Sequence, residues 1–251
     1  MEECEKLKIT IITVCYNSSA TIEQTFKSVQ DQSYENIEYI VVDGNSTDGT
    51  VEIINRYQNI ITQWISEPDD GLYDAMNKGI ALATGDYIGI INSDDIFFDS
   101  EVVGRIANYL KNKNIDACVG DVVQSKHNSV LRKISSKNWN PIQLKNGFMT
   151  PHPALFIKRS ILNTYDLYRT DFKIGADYEL IVRYFLKHKI SWKYSGIVTH
   201  NMLIGGVSTS GYSSYKTNTK EIIRALKLNE QKPNIFKIYF RIIWKLAELI
   251  K

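Results

Sequence analysis

Over the first 95 residues, short β-branched runs alternate with stretches whose apolar residues recur every three or four positions. Ile9–Val14 is a β-branched run and Ile37–Val42 a second, largely apolar run of strand length, Gln63–Ser66 reads as a short strand, and Tyr87–Ile91 is a fourth. Between them, Ile22, Phe26 and Val29 share one helical face behind a Ser18 or Ser19 cap. Ser46 to Asp48 open a second helix through Tyr57. Leu72, Ala75, Met76, Gly79, Ile80 and Ala83 form a helical stripe with Asp70 as its cap and Gly85 as its stop. Apolar strands separated by helices predict βαβ units and a mainly parallel sheet covered on both faces. In such sheets ligands bind beyond the carboxyl ends of the strands. Three polar clusters fall there: Tyr16-Asn17, Asp43-Gly44-Asn45, and Asn92 to Asp95.

The second half is less regular. Ala117–Val123, Ala154–Ile157 and Ile190–Thr199 read as strands, and Asp177–His188 as a helix that buries Leu180, Ile181, Tyr184 and Phe185. Gly205-Gly206 and Ser208 to Ser214 make a small, hydroxyl-rich stretch expected to be a mobile lid. No linker composition separates the halves, so the expectation is one domain over 1–211 and a helical tail over 212–251. In that tail Lys237, Arg241, Lys245, Glu248 and Lys251 fall on one stripe and the other face is apolar and aromatic. The pattern fits a helix lying on anionic lipid, or one docked on the protein's own body or on a second subunit of a homodimer.

Composition narrows the function classes. The 251 residues carry a net charge of +2, so no global basic field argues for nucleic acid. The N-terminal MEECEKLK has acids where a signal peptide needs basic and apolar regions. Cys4, Cys15 and Cys118 show no CxxC spacing, which argues against a zinc site or a disulfide framework and fits a reducing cytoplasm. No run of about 18 uncharged apolar residues is present to span a membrane. Within this ordinary frame, Asn92-Ser93-Asp94-Asp95 sets two adjacent carboxylates at the end of an apolar strand. A desolvated carboxylate is costly unless it is paired or holds a metal.

"TVCYN" (13–17), "VVDGNSTDGT" (41–50), "DAMNKGIALATGDYIGIINSDD" (74–95) and "GADYEL" (175–180), in this order, resemble the motifs of family-2 glycosyltransferases over roughly residues 7–205. The resemblance implies an α/β fold of the GT-A type: a mainly parallel central sheet flanked by helices, with C-terminal helices added. About 1–95 would then be the nucleotide-binding half and about 96–211 the acceptor half. It implies an inverting, metal-dependent transferase moving sugar from a UDP-sugar to a saccharide acceptor that is polyprenyl-linked. The setting it implies is bacterial surface polysaccharide synthesis (lipopolysaccharide or capsule), at the inner face of the plasma membrane.

The resemblance also assigns residues. Thr13, Val14, Tyr16, Asn17, Asp43, Asn45, Asn77, Ser93 and Asp94 would contact the nucleotide, Tyr16 by stacking on the base and Asp43 by accepting the uracil N3–H. Asp94 would hold Mn2+ or Mg2+, with His200 as a further ligand, since hard cations take oxygen ligands and few protein carboxylates. Asp95 would back that ligand or contact the sugar, Tyr73 and Asp74 would contact the donor sugar or the acceptor, and His152 would border the acceptor cleft. Asp177 matches the catalytic base, although its position also suits a helix N-cap, and Glu179 is its nearest competitor. Two positions depart from the family. Gly44 stands where many relatives have a second Asp, and Asn92 replaces the first Asp of an Asp-x-Asp motif. These losses keep open a nucleotide-sugar-binding protein without activity; a retaining transferase is a further, less favoured alternative.

Overall fold

Strand-length apolar runs and a two-residue side-chain period explain how the first half is layered. The computed structural model describes residues 6–111, 113–126, 129–203 and 211–248; Cys4 and Lys251 lie outside this range. Ile9–Cys15 (β1), Ile37–Asp43 (β2), Gln63–Ser66 (β3) and Tyr87–Ile90 (β4) lie in the order β3-β2-β1-β4, all parallel. Ile9, Ile11, Tyr39 and Val41 pack to one face, against helices Ile22–Gln30 (α1) and Thr50–Arg56 (α2) and, later in the chain, Val102–Lys111 (α4). Ile12, Val14, Ile40 and Val42 pack to the other, against Leu72–Leu82 (α3). Alternation along each strand fills two cores at once, as period 2 requires.

Asp95–Phe97 (β5), Ala117–Lys126 (β6), Ser129–Ile134 (β7), Leu155–Lys158 (β8) and Trp192–Leu203 (β9) complete the sheet. Its order continues β4-β8-β6-β9-β5, with β7 on β6. Here β8 runs antiparallel to β4 and β6, β7 to β6, and β5 to β9, whereas β6 and β9 are parallel. The mainly parallel expectation therefore holds for β1–β4, and the whole sheet is mixed. Only Ile91 to Asp94 separate β4 from β5, yet β5 pairs at the far edge of the strand order. The sheet must curl to let so short a connection reach.

Arg159–Thr164 (α5) follows β8, and Ala176–Val182 (α6) continues as a wider π-helical turn over Arg183–Lys187; Leu180, Ile181, Tyr184 and Phe185 are all buried. The helices Gly211–Leu228 (α7) and Ile235–Glu248 (α8) come last. From Gly211 the chain is helical, so the end of the expected lid is the first turn of α7; Gly205 to Ser210 lie outside the described residues. Ile222, Ala225 and Leu226 join the core beside α6, so α7 is packed into the domain and is not a free tail. Ile238 and Arg241 of α8 point inward, while Phe236, Tyr239 and Phe240 face out.

Three helix starts differ from expectation. Thr21 caps α1 without a side-chain bond, and the Ser18 hydroxyl bonds Ser93 instead. Asp48 accepts from the Thr50 amide and hydroxyl, so α2 begins after Gly49. Gly71 precedes α3 in place of Asp70, and Leu72 of the expected stripe is exposed while Tyr73 is buried.

Candidate active site

The three polar clusters meet because β2, β1 and β4 are neighbours and end together. The Gly44 amide donates to Cys15 O, Asn17 N–H to Ser46 Oγ at 2.8 Å, and Ser18 and Ser93 share a hydroxyl bond of 2.9 Å. Asn17 and Asn45 both take left-handed backbone (φ 47° and 65°), which asparagine tolerates at sharp turns. The Asn17 carbonyl accepts the Thr47 amide, so this side chain shapes the loop. Asn45 is exposed beside it. Tyr16, 64% exposed, leaves β1 with its ring free of core packing. Thr13 and Val14, expected at the nucleotide, turn their side chains into the two cores instead: the Thr13 hydroxyl meets Tyr39 OH at 2.9 Å, and Val14 is buried.

Asp43 is engaged within the protein. It is fully enclosed, and its oxygens take Ser46 N–H, Ser46 Oγ, Ser66 Oγ and the Cys15 thiol. No face of that carboxylate is open to a base. The thiol of Cys15 is pushed far up by burial and then by Asp43, so it stays protonated. The open carboxylate is Asp69, just past β3, whose Oδ1 accepts the Gly71 amide. A β-carbon at Gly44 would overlap Asp69 Oδ2 and fall 3.3 Å from the Tyr16 ring. Asp69 thus occupies, from another strand end, the room that a side chain at 44 would fill. Sequence reasoning missed it, although "EPDD" directly after a strand carried the signal.

At the β4 end, Asn92 explains itself. Its amide donates to Asp95 Oδ2 at 2.9 Å, where a third carboxylate would add repulsion. Burial, then Asp94, raises Asp95 to about 7, with the Asn92 bond holding it back. Burial raises Asp94 as well. His200 lies on β9. Strand register sets it opposite Phe97, while Asp95 faces Met202, two pairs away along the ladder. Its ring packs on Phe97, its Nδ1 meets Thr199 Oγ1, and burial, then His152, lowers its pKa to about 3. Among the described residues no three His, Cys, Asp or Glu groups converge as a ready metal cage.

Helix α3 joins this cleft to α6. Asp74 lies in its first turn, accepting the Asp70 amide and facing Lys78 at 3.3 Å. The buried Tyr73 stacks on Tyr168 at 5.8 Å and gives its hydroxyl to Ile174 O. Asn77, expected in the cleft, is instead a clip: its amide donates to Tyr168 O at 2.8 Å and accepts Tyr168 N–H at 2.9 Å. His152 bonds Tyr168 OH at 2.7 Å and edges a gap of about 10 Å³ among Ile80, Ile88, Leu155 and Ile157. That gap holds at most one water, and burial lowers the pKa of His152 to about 4.

Asp177 stands in the first turn of α6, whose N-cap is Gly175, so Asp177 is not the cap. Its Oδ1 accepts the Tyr178 amide at 2.7 Å. Burial of the carboxyl raises Asp177 to about 6, against the pull of the Tyr178 amide and of the Tyr73 hydroxyl. Glu179 is spent elsewhere, buried against Arg183 at 2.9 Å and Asn229 at 2.9 Å.

Comparison with known proteins bears on the fold and the family. The chain is 35% identical over 186 residues to an uncharacterized glycosyltransferase of Mycobacterium tuberculosis, covering 70% of this chain and 68% of that one. Among solved structures, S. aureus TarS in complex with UDP-GlcNAc superposes with a TM-score of 0.74 at 17% identity, covering 94% of this chain and 73% of that one. The mannosyltransferase PcManGT of Pyrobaculum calidifontis, in complex with GDP-Man and Mn2+, gives 0.65 at 22% identity over 93% and 68%. These likenesses establish a GT-A fold. The model of glycosyl transferase family 2 matches residues 10–169, a span holding every strand end of the cleft, and the chain belongs to that family.

Proposed function

We propose that the protein is an inverting transferase that moves a sugar from UDP to a hydroxyl of a saccharide acceptor. The observation that carries this reading is the junction at Tyr73. The helix that starts beside the cleft reaches, through that hydroxyl, the turn bearing a carboxyl poised near pKa 6. A base with its pKa just below neutral is mostly ionised at pH 7 and still able to accept a proton. The acceptor oxygen attacks the anomeric carbon, its proton passes to Asp177, and the bond to the diphosphate breaks on the opposite face, inverting the centre. Tyr16 supplies the face on which uracil stacks, and Asp69, not Asp43, accepts its N3–H. The uridine nucleotides bound by TarS make UDP the leading donor carrier, with GDP as the competitor suggested by PcManGT.

The residues at the β4 end suit a divalent cation. Asp94 is raised by burial, with no cation among the groups that oppose the shift, which leaves a carboxylate wanting positive charge. One or two protein oxygens beside a diphosphate are what Mg2+ or Mn2+ takes. Bound there, such an ion would act as the Lewis acid that stabilises the departing diphosphate. Asp69 in the space beside Gly44, and Asn92 bonded to Asp95, weigh against the reading of a binder that has lost its carboxylates.

The acceptor is proposed to be lipid-linked, with the protein resting on the inner face of the plasma membrane. Among the described residues no helix is long and apolar enough to cross a membrane. The support is α8, which sends Phe236 (68% exposed), Tyr239 and Phe240 outward beside Lys237, a combination that suits an anionic lipid surface.

The test is calorimetry of UDP, GDP and ADP, and then a screen of UDP-sugars for UDP release in the presence of Mn2+. UDP should bind far better than the purine nucleotides, and Asp69→Asn should erase most of that preference. Equal affinities would remove the uracil assignment, and no release from any donor and acceptor would remove the transferase reading.

A further inference from the structure

Glu221 belongs to α7, remote in sequence from α6, yet its carboxylate closes on the turn that leads into that helix. Its Oε1 accepts the Lys173 amide at 2.8 Å, and its Oε2 accepts the Ile174 and Gly175 amides at 3.0 and 2.8 Å. Three consecutive backbone donors converging on one anion form a nest, filled here by a side chain. The fit is close: a β-carbon at position 175 would come within 3.2 Å of both Glu221 Cβ and Oε2. The same turn is held from its other side, where Ile174 O takes the Tyr73 hydroxyl. Arg224, one turn along α7, is engaged with Asp171, so it does not neutralise Glu221 in an ion pair. A buried acid that binds only backbone, two residues before a candidate base, has a geometric task.

We propose that Glu221 is a positioning residue for sugar transfer: by gathering the amides of Lys173, Ile174 and Gly175 it sets where the Asp177 carboxyl meets the acceptor hydroxyl. This rests on the reading of Asp177 as the base. The charge has a second consequence. The groups facing Asp177 from neighbouring elements are Tyr73 of α3, Tyr168 of the segment before α6, and Glu221 of α7. Burial accounts for most of the upward shift of Asp177, Glu221 adds to it, and Tyr73 opposes it. Removing the negative charge at 221 therefore lowers the pH at which the base ionises.

The experiment compares the full chain with Glu221→Gln, Glu221→Ala and Asp177→Asn. It measures UDP affinity, melting temperature, and the pH dependence of kcat with the UDP-sugar that the wild type turns over fastest. Glu221→Gln preserves shape and one acceptor oxygen. It should fold, keep UDP affinity and donor KM within about twofold, lose kcat about tenfold, and move the acid limb of kcat to lower pH. Glu221→Ala should lose up to about 10²-fold, the scale of a base misplaced by an ångström. Wild-type kcat and an unmoved acid limb in Glu221→Gln, beside an inactive Asp177→Asn, would overturn the positioning role and leave the base standing. A fully active Asp177→Asn would overturn the base, and this proposal with it.

Discussion

Replacing Asp177 by Asn should yield a protein that is more stable and nearly inactive. In the folded state the carboxyl is raised from 3.8 to about 6, chiefly by burial. The unfolded chain therefore ionises first as pH rises, and the native state loses stability through the window from about 3.8 to 6. A shift of this size corresponds to roughly 3 kcal/mol, fully felt above pH 6 and absent below pH 3.8. Asn carries no charge to desolvate and keeps an oxygen for the Tyr178 amide, so it escapes this cost. It is also not replacing a cap, since Gly175 fills that position. The variant should melt higher than wild type at pH 8, by several degrees for a chain of this length, and match it near pH 3. Transfer should fall by about 10²- to 10⁴-fold, the usual cost of losing a general base, with UDP and Mn2+ affinities unchanged. The assays are paired melts at pH 3 and 8 and turnover at saturating donor. Near-normal turnover would refute the catalytic assignment, and a lower melting temperature at pH 8 would refute the desolvation reasoning.

The same geometry yields three further outcomes. Asp94→Ala should abolish the Mn2+ dependence of UDP binding while Asp95→Ala weakens transfer with a smaller metal effect; a metal titration in which Asp94→Ala responds fully would transfer the role to Asp95. Glu38 is depressed to about 2 because bonds from Thr10, Thr84 and Lys8 outweigh its burial. Glu38→Gln should therefore lose on the order of 3 kcal/mol at pH 7 in urea melts, a deficit that shrinks as pH falls from 4.5 through 2; a pH-independent deficit would contradict this. Phe236→Glu with Phe240→Glu should release the protein from phosphatidylglycerol vesicles in a flotation assay without changing its melting or UDP affinity; undiminished flotation, or loss of a dimer, would contradict the lipid reading.

The strands and helices up to residue 91 are legible in the sequence because most are β-branched runs or helical stripes separated by short polar turns. Beyond residue 91 the chain is harder to read, for identifiable reasons. Asp95–Phe97 is a three-residue strand inside an acidic turn, too short to show a period. The first turns of α7 are Tyr, Ser, Lys, Thr and Asn, and its apolar anchors come only at Ile222, Ala225 and Leu226. Residue types identify the cleft but not which carboxylate in it is free. Asp43 and Asp69 differ only in their neighbours, and Ser46 and Ser66 close the first. Linear order suggests His200 as a metal ligand, but its distance from Asp94 depends on the β5–β9 register, which a linear reading does not contain. Glu221 is invisible for the same reason.

The curl that brings β5 to the far edge of the sheet has a consequence for how the protein is made. Asp95–Phe97 leaves the ribosome long before Trp192–Leu203, its pairing partner, exists: Asp95 waits for Met202, more than 100 residues later. At ordinary synthesis rates that is roughly 5–20 s. During this interval the nascent strand has an unpaired edge, the template on which chains aggregate. Asp95 is then hydrated and charged, with Asp94 beside it and Asp99 two residues past Phe97. These acids flank the apolar segment "IFF" and discourage one unfinished chain from pairing with another. Only when β9 arrives does Asp95 become buried, and the carboxyl that kept nascent chains apart is then enclosed beneath the cleft, where burial favours its neutral form.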